Sequence, residues 1–190
     1  MLTVFPADVD PHLAAVLAFP RTLEDTARSV SAAVSKGELH KPHANAYYAQ
    51  LRGETLQLPA RVYYESEALR EVCARSGAEG TVAQCLGTRH NDGFMRQQCA
   101  IQLLESDQYW AVPFIIHLLG EYVIEVIAPI ERMLQEGVRP AFREFVAENP
   151  AYMVTLEKRA ISYWDCYYRR RFPNKSDYPG LRAIATLNAV

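Results

Sequence analysis

His117, Glu121 and Glu125 stand four residues apart in the stretch Tyr109 to Leu134, where twenty-six residues hold one imidazole and four charges. On a helix, a spacing of four sets side chains one above another. This apolar segment would then carry a single polar stripe. Two carboxylates and an imidazole are ligands for a divalent ion, or an acid/base set, if His90, Asp92 or Asp165 completes them. Helical carboxylate metal sites, however, use Glu-x-x-His on two helices, and this chain has one His-x-x-x-Glu-x-x-x-Glu. Two other readings are an exposed groove lined by the three groups and a buried ion network. An isolated interior carboxylate costs several kcal/mol, so the network needs cations. Arg89, His90, Arg96 and Arg132 are the nearest in sequence. The network is the favoured reading, and neither a metal nor a cofactor is expected.

A second polar group is Arg89, His90, Asp92 and Arg96. His90 has a side chain that titrates near neutral pH. Cys85, five positions earlier, is poorly placed to pair with it on a helix and reads as a core thiol. A third group closes the chain's last long helical reading: Tyr163, Trp164, Tyr167 and Tyr168, then Arg169, Arg170 and Arg171. Rings four apart can stack, and rings followed by arginines resemble a base-stacking strip with phosphate clamps. The alternative packs the rings inward and sets the arginines on an acidic body. Residues 155–190 carry +4 and the remainder −6, within a net charge of −2. That overall charge makes nucleic acid the weaker reading. There is no G-x-S-x-G elbow and no glycine-rich phosphate loop, so no catalytic residue is assigned and the reading leans away from an enzyme.

The elements that must hold these groups are mostly helical. Helices are expected over His12 to Phe19, opened by Pro11, and from a Thr22/Asp25 capping box to Lys36-Gly37. A third is expected from Pro42 through Tyr47, Tyr48 and Leu51 to Gly53. Residues 53–65 alternate and contain a proline, which predicts an extended segment or hairpin. Helical spacing returns at Ser66. Thr81 is expected to cap the next helix and Asp92 the one over Phe94 to Glu105. One long helix is expected from about Ala111–Pro113 to Leu134, a short one around Phe142 to Val146, and a last one over Tyr152 to Arg171. Residues 172–190 read as a C-terminal tail.

Asp92, Met95, Arg96, Cys99 and Leu103 fit the second helix of a HEAT-type repeat, where the Asp caps its helix and an Arg can pair with the neighbouring layer. Thr88 to Gln97, Trp110 to Val126 and Ser162 to Arg169 also resemble segments of bacterial all-helical proteins to which no activity is assigned. Some bacterial HEAT-like proteins of this size act as immunity or binding partners. The resemblance therefore implies a binding role and supplies no catalytic residue.

With 190 residues, 49% hydrophobic and 22% charged, the chain can hide roughly 70% of its unfolded surface in one domain, without disulfide or metal. Cys73, Cys85, Cys99 and Cys166 match no zinc or thioredoxin spacing and read as reduced, mostly buried thiols. The start shows no secretory pattern, and a membrane span would strand Glu121 and Glu125, each costing about 2.5–3.5 kcal/mol at the bilayer centre. The expectation is a cytoplasmic, all-α single domain (1–190) of stacked antiparallel HEAT-like helices with at most one short β-hairpin. Its partner is expected to be another protein. Oligomeric state is left open.

Overall fold

The computed structural model describes residues 12–35 and 45–189. The expected roles of Pro11, of Lys36-Gly37 and of Pro42 lie outside these. Among the described residues the chain is mostly helical, with one two-stranded antiparallel hairpin, and it parts into two compact units, Met1–Ser106 and Asp107–Val190. No described helix is long and apolar enough to cross a membrane.

The first unit holds α1 (Leu13–Val16), α2 (Glu24–Val34), the strands β1 (Ala46–Leu51) and β2 (Glu54–Pro59), α3 (Ser66–Cys73), α4 (Gly77–Gly87) and α5 (Gly93–Leu104). Helices α2 to α5 bury one apolar layer that includes Val30, Val34, Leu69, Val72, Val82, Leu86 and Leu103. The helix expected over Tyr47, Tyr48 and Leu51 is strand β1 instead. Ala49 pairs with Leu56 and Leu51 with Glu54, so Ala49, Leu51, Leu56 and Leu58 all reach the core. The turn explains the change: Arg52 and Gly53 both have positive φ, at 50° and 82°, as a two-residue hairpin turn of the kind that matches strand twist requires. The bond from Gln57 N–H to the Leu17 carbonyl (2.7 Å) ties the hairpin to α1.

Two caps also differ. Thr22 lies in a tight turn before α2 and makes no cap bond, Leu23 standing at that position. Thr81 sits inside α4, which starts four residues earlier, and its hydroxyl donates to the Gly77 carbonyl. Asp92 caps α5 as expected, accepting from Phe94 N–H at 2.9 Å.

The second unit holds α6 (Val112–His117), α7 (Ile124–Glu136), α8 (Pro140–Glu148), α9 (Pro150–Tyr163) and α10 (Pro179–Asn188). The long central helix is broken. After His117 come a tight turn, Leu118–Gly120, and then Glu121 with extended backbone (φ −91°, ψ 171°). Gly120 is the reason such a turn fits: a Cβ there would lie 2.7 Å from Leu156 Cδ1 of α9. Pro113 sits in the first turn of α6, where its missing N–H costs nothing. Pro129 stands inside α7, where it cannot donate to the Glu125 carbonyl. Residues 179–188, read from sequence as part of a tail, form α10. It packs on α7, α8 and α9 and buries Leu181, Ala183, Ile184 and Leu187. Its Arg182 pairs with Glu131 at 2.7 Å, one instance of the basic end meeting acidic residues.

Replacing Asp92 with Ala should lower stability by about 1 kcal/mol, the usual worth of a lost N-cap. Urea unfolding should show a lower midpoint with an unchanged slope.

Candidate functional site

The groups singled out in the sequence fall into three places, two of them largely buried. In the first unit Arg89, His90 and Arg96 are all buried. Arg89 donates from Nε to the Pro59 carbonyl (3.0 Å) and from its terminal nitrogen to the Ala60 carbonyl (2.7 Å). His90 Nε2 lies 2.9 Å from the Tyr64 carbonyl and Nδ1 lies 3.1 Å from the Asp92 N–H. A carbonyl only accepts and an amide N–H only donates. Nε2 thus donates and Nδ1 accepts. Arg96 donates to the His90 and Asn91 carbonyls, both at 2.9 Å. This cluster fastens the hairpin's exit to the turn before α5 through these bonds to backbone.

The second place is the broken helix. His117 and Glu121 are each 1% exposed, whereas Glu125, on the far side of the extended residues, faces solvent on α7. The expected stripe therefore does not exist as one face. Of the expected cations, Arg89 and Arg96 donate to carbonyls in the first unit and Arg132 is exposed. At His117 it is Arg159 of α9 that donates to Nε2, at 3.0 Å. Its guanidinium carbon lies 3.5 Å from where a Cβ on Gly120 would stand. On the other side His117 Nδ1 is 2.5 Å from Tyr152 Oη. Arginine has no acceptor, so Nε2 must accept and the one proton of a neutral imidazole sits on Nδ1, donating to Tyr152. A second proton on His117 would face the guanidinium. The Nε2 lone pair is thus taken by a cation. Among the described residues no group of three or more His, Cys, Asp and Glu is gathered that could hold a metal ion.

The third place is the end of α9. Its helix continues as one π-helical turn, Trp164–Tyr168, a widening found mostly as single turns and frequently at functional positions. Tyr163 and Tyr167 lie 6.2 Å apart, and Tyr122, from the extended stretch after Glu121, stands 5.8 Å from each. Tyr122 is 44% exposed and Tyr167 65%. Behind them Tyr168 donates to the Tyr122 carbonyl and stacks at 5.4 Å on the fully buried Tyr178, next to α10. Trp164 donates from its ring to the Phe172 carbonyl at 2.8 Å. Arg169 pairs with Asp165 and lies over the Trp164 ring at 5.4 Å, while Arg171 lies over Phe172 at 5.3 Å. Arg170 is exposed.

Tyr122, Tyr152, Arg159 and Tyr178 were not anticipated. Tyr152 and Arg159 are seven apart, two turns along one face of α9, which is the only local signal that they act together. Nothing near position 117 points to them. No protein-family model matches this sequence, and no curated protein or solved structure is similar to it.

Burial separates the two carboxylates. Glu121→Ala should cost about 3–5 kcal/mol, the usual cost of removing one partner of a buried charge, and Glu125→Ala about 0.5 kcal/mol or less. Chemical denaturation of the two variants checks this. Tyr178 makes a second test, since burial, then the nearby Tyr168 and Tyr163 hydroxyls, push its phenol well above the usual tyrosine range. The unfolded phenol loses its proton first, near the ordinary value of 10.0. Stability should therefore be intact below that pH and fall as pH rises beyond it. Tyr178→Phe should flatten the fall in a denaturation series taken across alkaline pH.

Proposed function

We propose that this chain is a protein-binding module, of the immunity or regulatory kind, whose contact surface is the tyrosine ridge Tyr122, Tyr163 and Tyr167 with Trp164, Arg169 and Arg170 at its edge. The observation that carries the reading is the exposure of clustered rings. Three tyrosines lean on one another at 5.8, 5.8 and 6.2 Å, yet Tyr122 and Tyr167 remain open to solvent. Protein interfaces are enriched in Tyr, Trp and Arg, and a few such residues carry most of the affinity. Rings already braced by neighbours lose little freedom on binding. The three buried free thiols suit a reducing setting, the cytoplasm of a bacterium in this reading.

Nucleic acid is the alternative use of the same strip, and the side chains favour it less. Asp165 places a carboxylate within the strip and holds Arg169, which removes one phosphate clamp and sets a negative charge against a phosphate. The enzyme alternative rests on His117, Glu121 and Glu125, which do not converge, and whose imidazole is engaged on both nitrogens.

Affinity capture from the native cytoplasm, run in parallel with wild type, Tyr167→Ala and Tyr122→Ala, tests the reading. Wild type should retain a partner that survives nuclease treatment, and reconstituted binding should weaken by about 2 kcal/mol, or some thirtyfold, in the variants. Identical capture by all three proteins, or retention abolished by nuclease and steeply weakened by salt, would end it.

A further inference from the structure

In the first unit a cavity of about 430 Å³ opens between α3 and α5, lined by Arg70, Cys73, Met95, Gln98, Cys99 and Ile101 among others. Two thiols meet on its wall. Cys73 Sγ and Cys99 Sγ are 3.9 Å apart. They come from different helices, Cys73 being the last residue of α3 and Cys99 lying within α5. The sulfur of Cys99 also rests on Gly87, where a Cβ would come within 2.3 Å of it. A side chain there would displace the thiol, so a bare backbone at the end of α4 is what lets Cys99 occupy this place beside Cys73.

We propose that Cys73 and Cys99 form a dithiol that reacts with a hydroperoxide entering this cavity and closes to a disulfide. The Cys73 sulfur attacks the outer oxygen of the peroxide. An S–O bond forms, the O–O bond breaks, and the departing alkoxide or hydroxide takes a proton to leave as alcohol or water. Sulfur is oxidised by two electrons and the peroxide reduced by two. The Cys99 sulfur then attacks the sulfenic sulfur of Cys73, the S–S bond forms and the S–O bond breaks. The released hydroxide takes the Cys99 proton and leaves as water.

The order of the two steps follows first from access: Cys73 is 5% exposed at the end of α3 and Cys99 1%. The contact between the thiols also holds the Cys73 pKa low, while that contact and burial raise that of Cys99. The thiolate is the nucleophile, so Cys73 attacks first and Cys99 resolves. Bonding requires the sulfurs to close by roughly 2 Å, to the 2.03–2.05 Å of a disulfide, and the side chain at the end of α3 is the one placed to move. Met95 and Ile101 give the cavity apolar wall and Arg70 a cation, a lining suited to a hydrocarbon-tailed hydroperoxide. Cys85 is fully buried and absent from the lining, and Cys166 is exposed in the other unit.

The full chain carrying Cys166→Ser, reduced and then freed of reductant, is treated with stoichiometric cumene hydroperoxide or hydrogen peroxide, and its thiols are counted after denaturation. Of three thiols, two should be lost, the intact mass should fall by two hydrogens, and digestion should yield the Cys73 peptide joined to the Cys99 peptide, restored by dithiothreitol. Adding Cys99→Ser should stop the reaction at a sulfenic acid on Cys73 that dimedone traps. Cumene hydroperoxide should react faster than hydrogen peroxide if the apolar wall guides entry. Cys73 and Cys99 both remaining reduced in the folded protein, no dimedone adduct on Cys73 in the Cys99→Ser protein, or hydrogen peroxide reacting faster would each overturn the proposal as stated. The main measurement uses native cysteines at both positions and does not depend on a core variant folding.

Discussion

Wherever this chain leaves regular structure inside a core, the exposed carbonyls have to find a donor, because a buried backbone group without one costs about as much as a lost hydrogen bond. The first unit meets that demand with side chains that look like a site in the sequence. Arg89 covers the carbonyls of Pro59 and Ala60, Arg96 those of His90 and Asn91, and His90 that of Tyr64. The hairpin can leave its ladder and turn into α3 because those donors are there. In the second unit the extended stretch after Gly120 makes the same demand at Glu121, whose buried carbonyl Tyr178 meets, while Tyr168 meets the exposed Tyr122 carbonyl. Polar residues of high chemical potential are thus placed mainly by the needs of backbone.

Much of the helical organisation was legible because it rests on local signals. Asp92 before Gly93 caps α5, Pro140 and Pro150 open α8 and α9, and Gly137 at φ 153° ends α7. The failures share a cause. His117 to Glu125 has helical spacing, yet Gly120 and the extended Glu121 interrupt it because α9 packs closely at that point. Tyr47 to Leu51 has enough apolar residues for either element, and only the pair Arg52-Gly53 marks the hairpin. Helix α10 was missed because Pro173 to Gly180 reads as turn, although Leu181, Ile184 and Leu187 recur at helical spacing immediately after. Of the candidate site, the aromatic strip on α9 was visible as ring pairs four apart. Its third ring, Tyr122, was not, since a partner forty-one residues away leaves no trace in spacing.

The division between buried and open polar groups decides what each can do. His117 is bounded by a phenol on one nitrogen and a guanidinium on the other, a fixed arrangement that braces α6 against α9. The tyrosine ridge is braced from behind, by Tyr168 on Tyr178 and by Trp164 on the Phe172 carbonyl, and presents its rings outward. The same helix thus carries a closed polar network at Tyr152 and Arg159 and, from Tyr163 through the π-helical turn, an open aromatic face.

The position of α10 has a consequence for synthesis. Its apolar side completes the packing of α7, but roughly fifty residues separate the ends of the two helices. At translation rates of about 5–20 residues per second, Val126, Ile127, Ile130 and Leu134 would wait on the order of 3–10 s for their cover. The first unit, whose described helices all precede position 106, has no such delay. A nascent chain paused after α9 would therefore display a greasy α7, a natural client for whatever chaperone attends the ribosome.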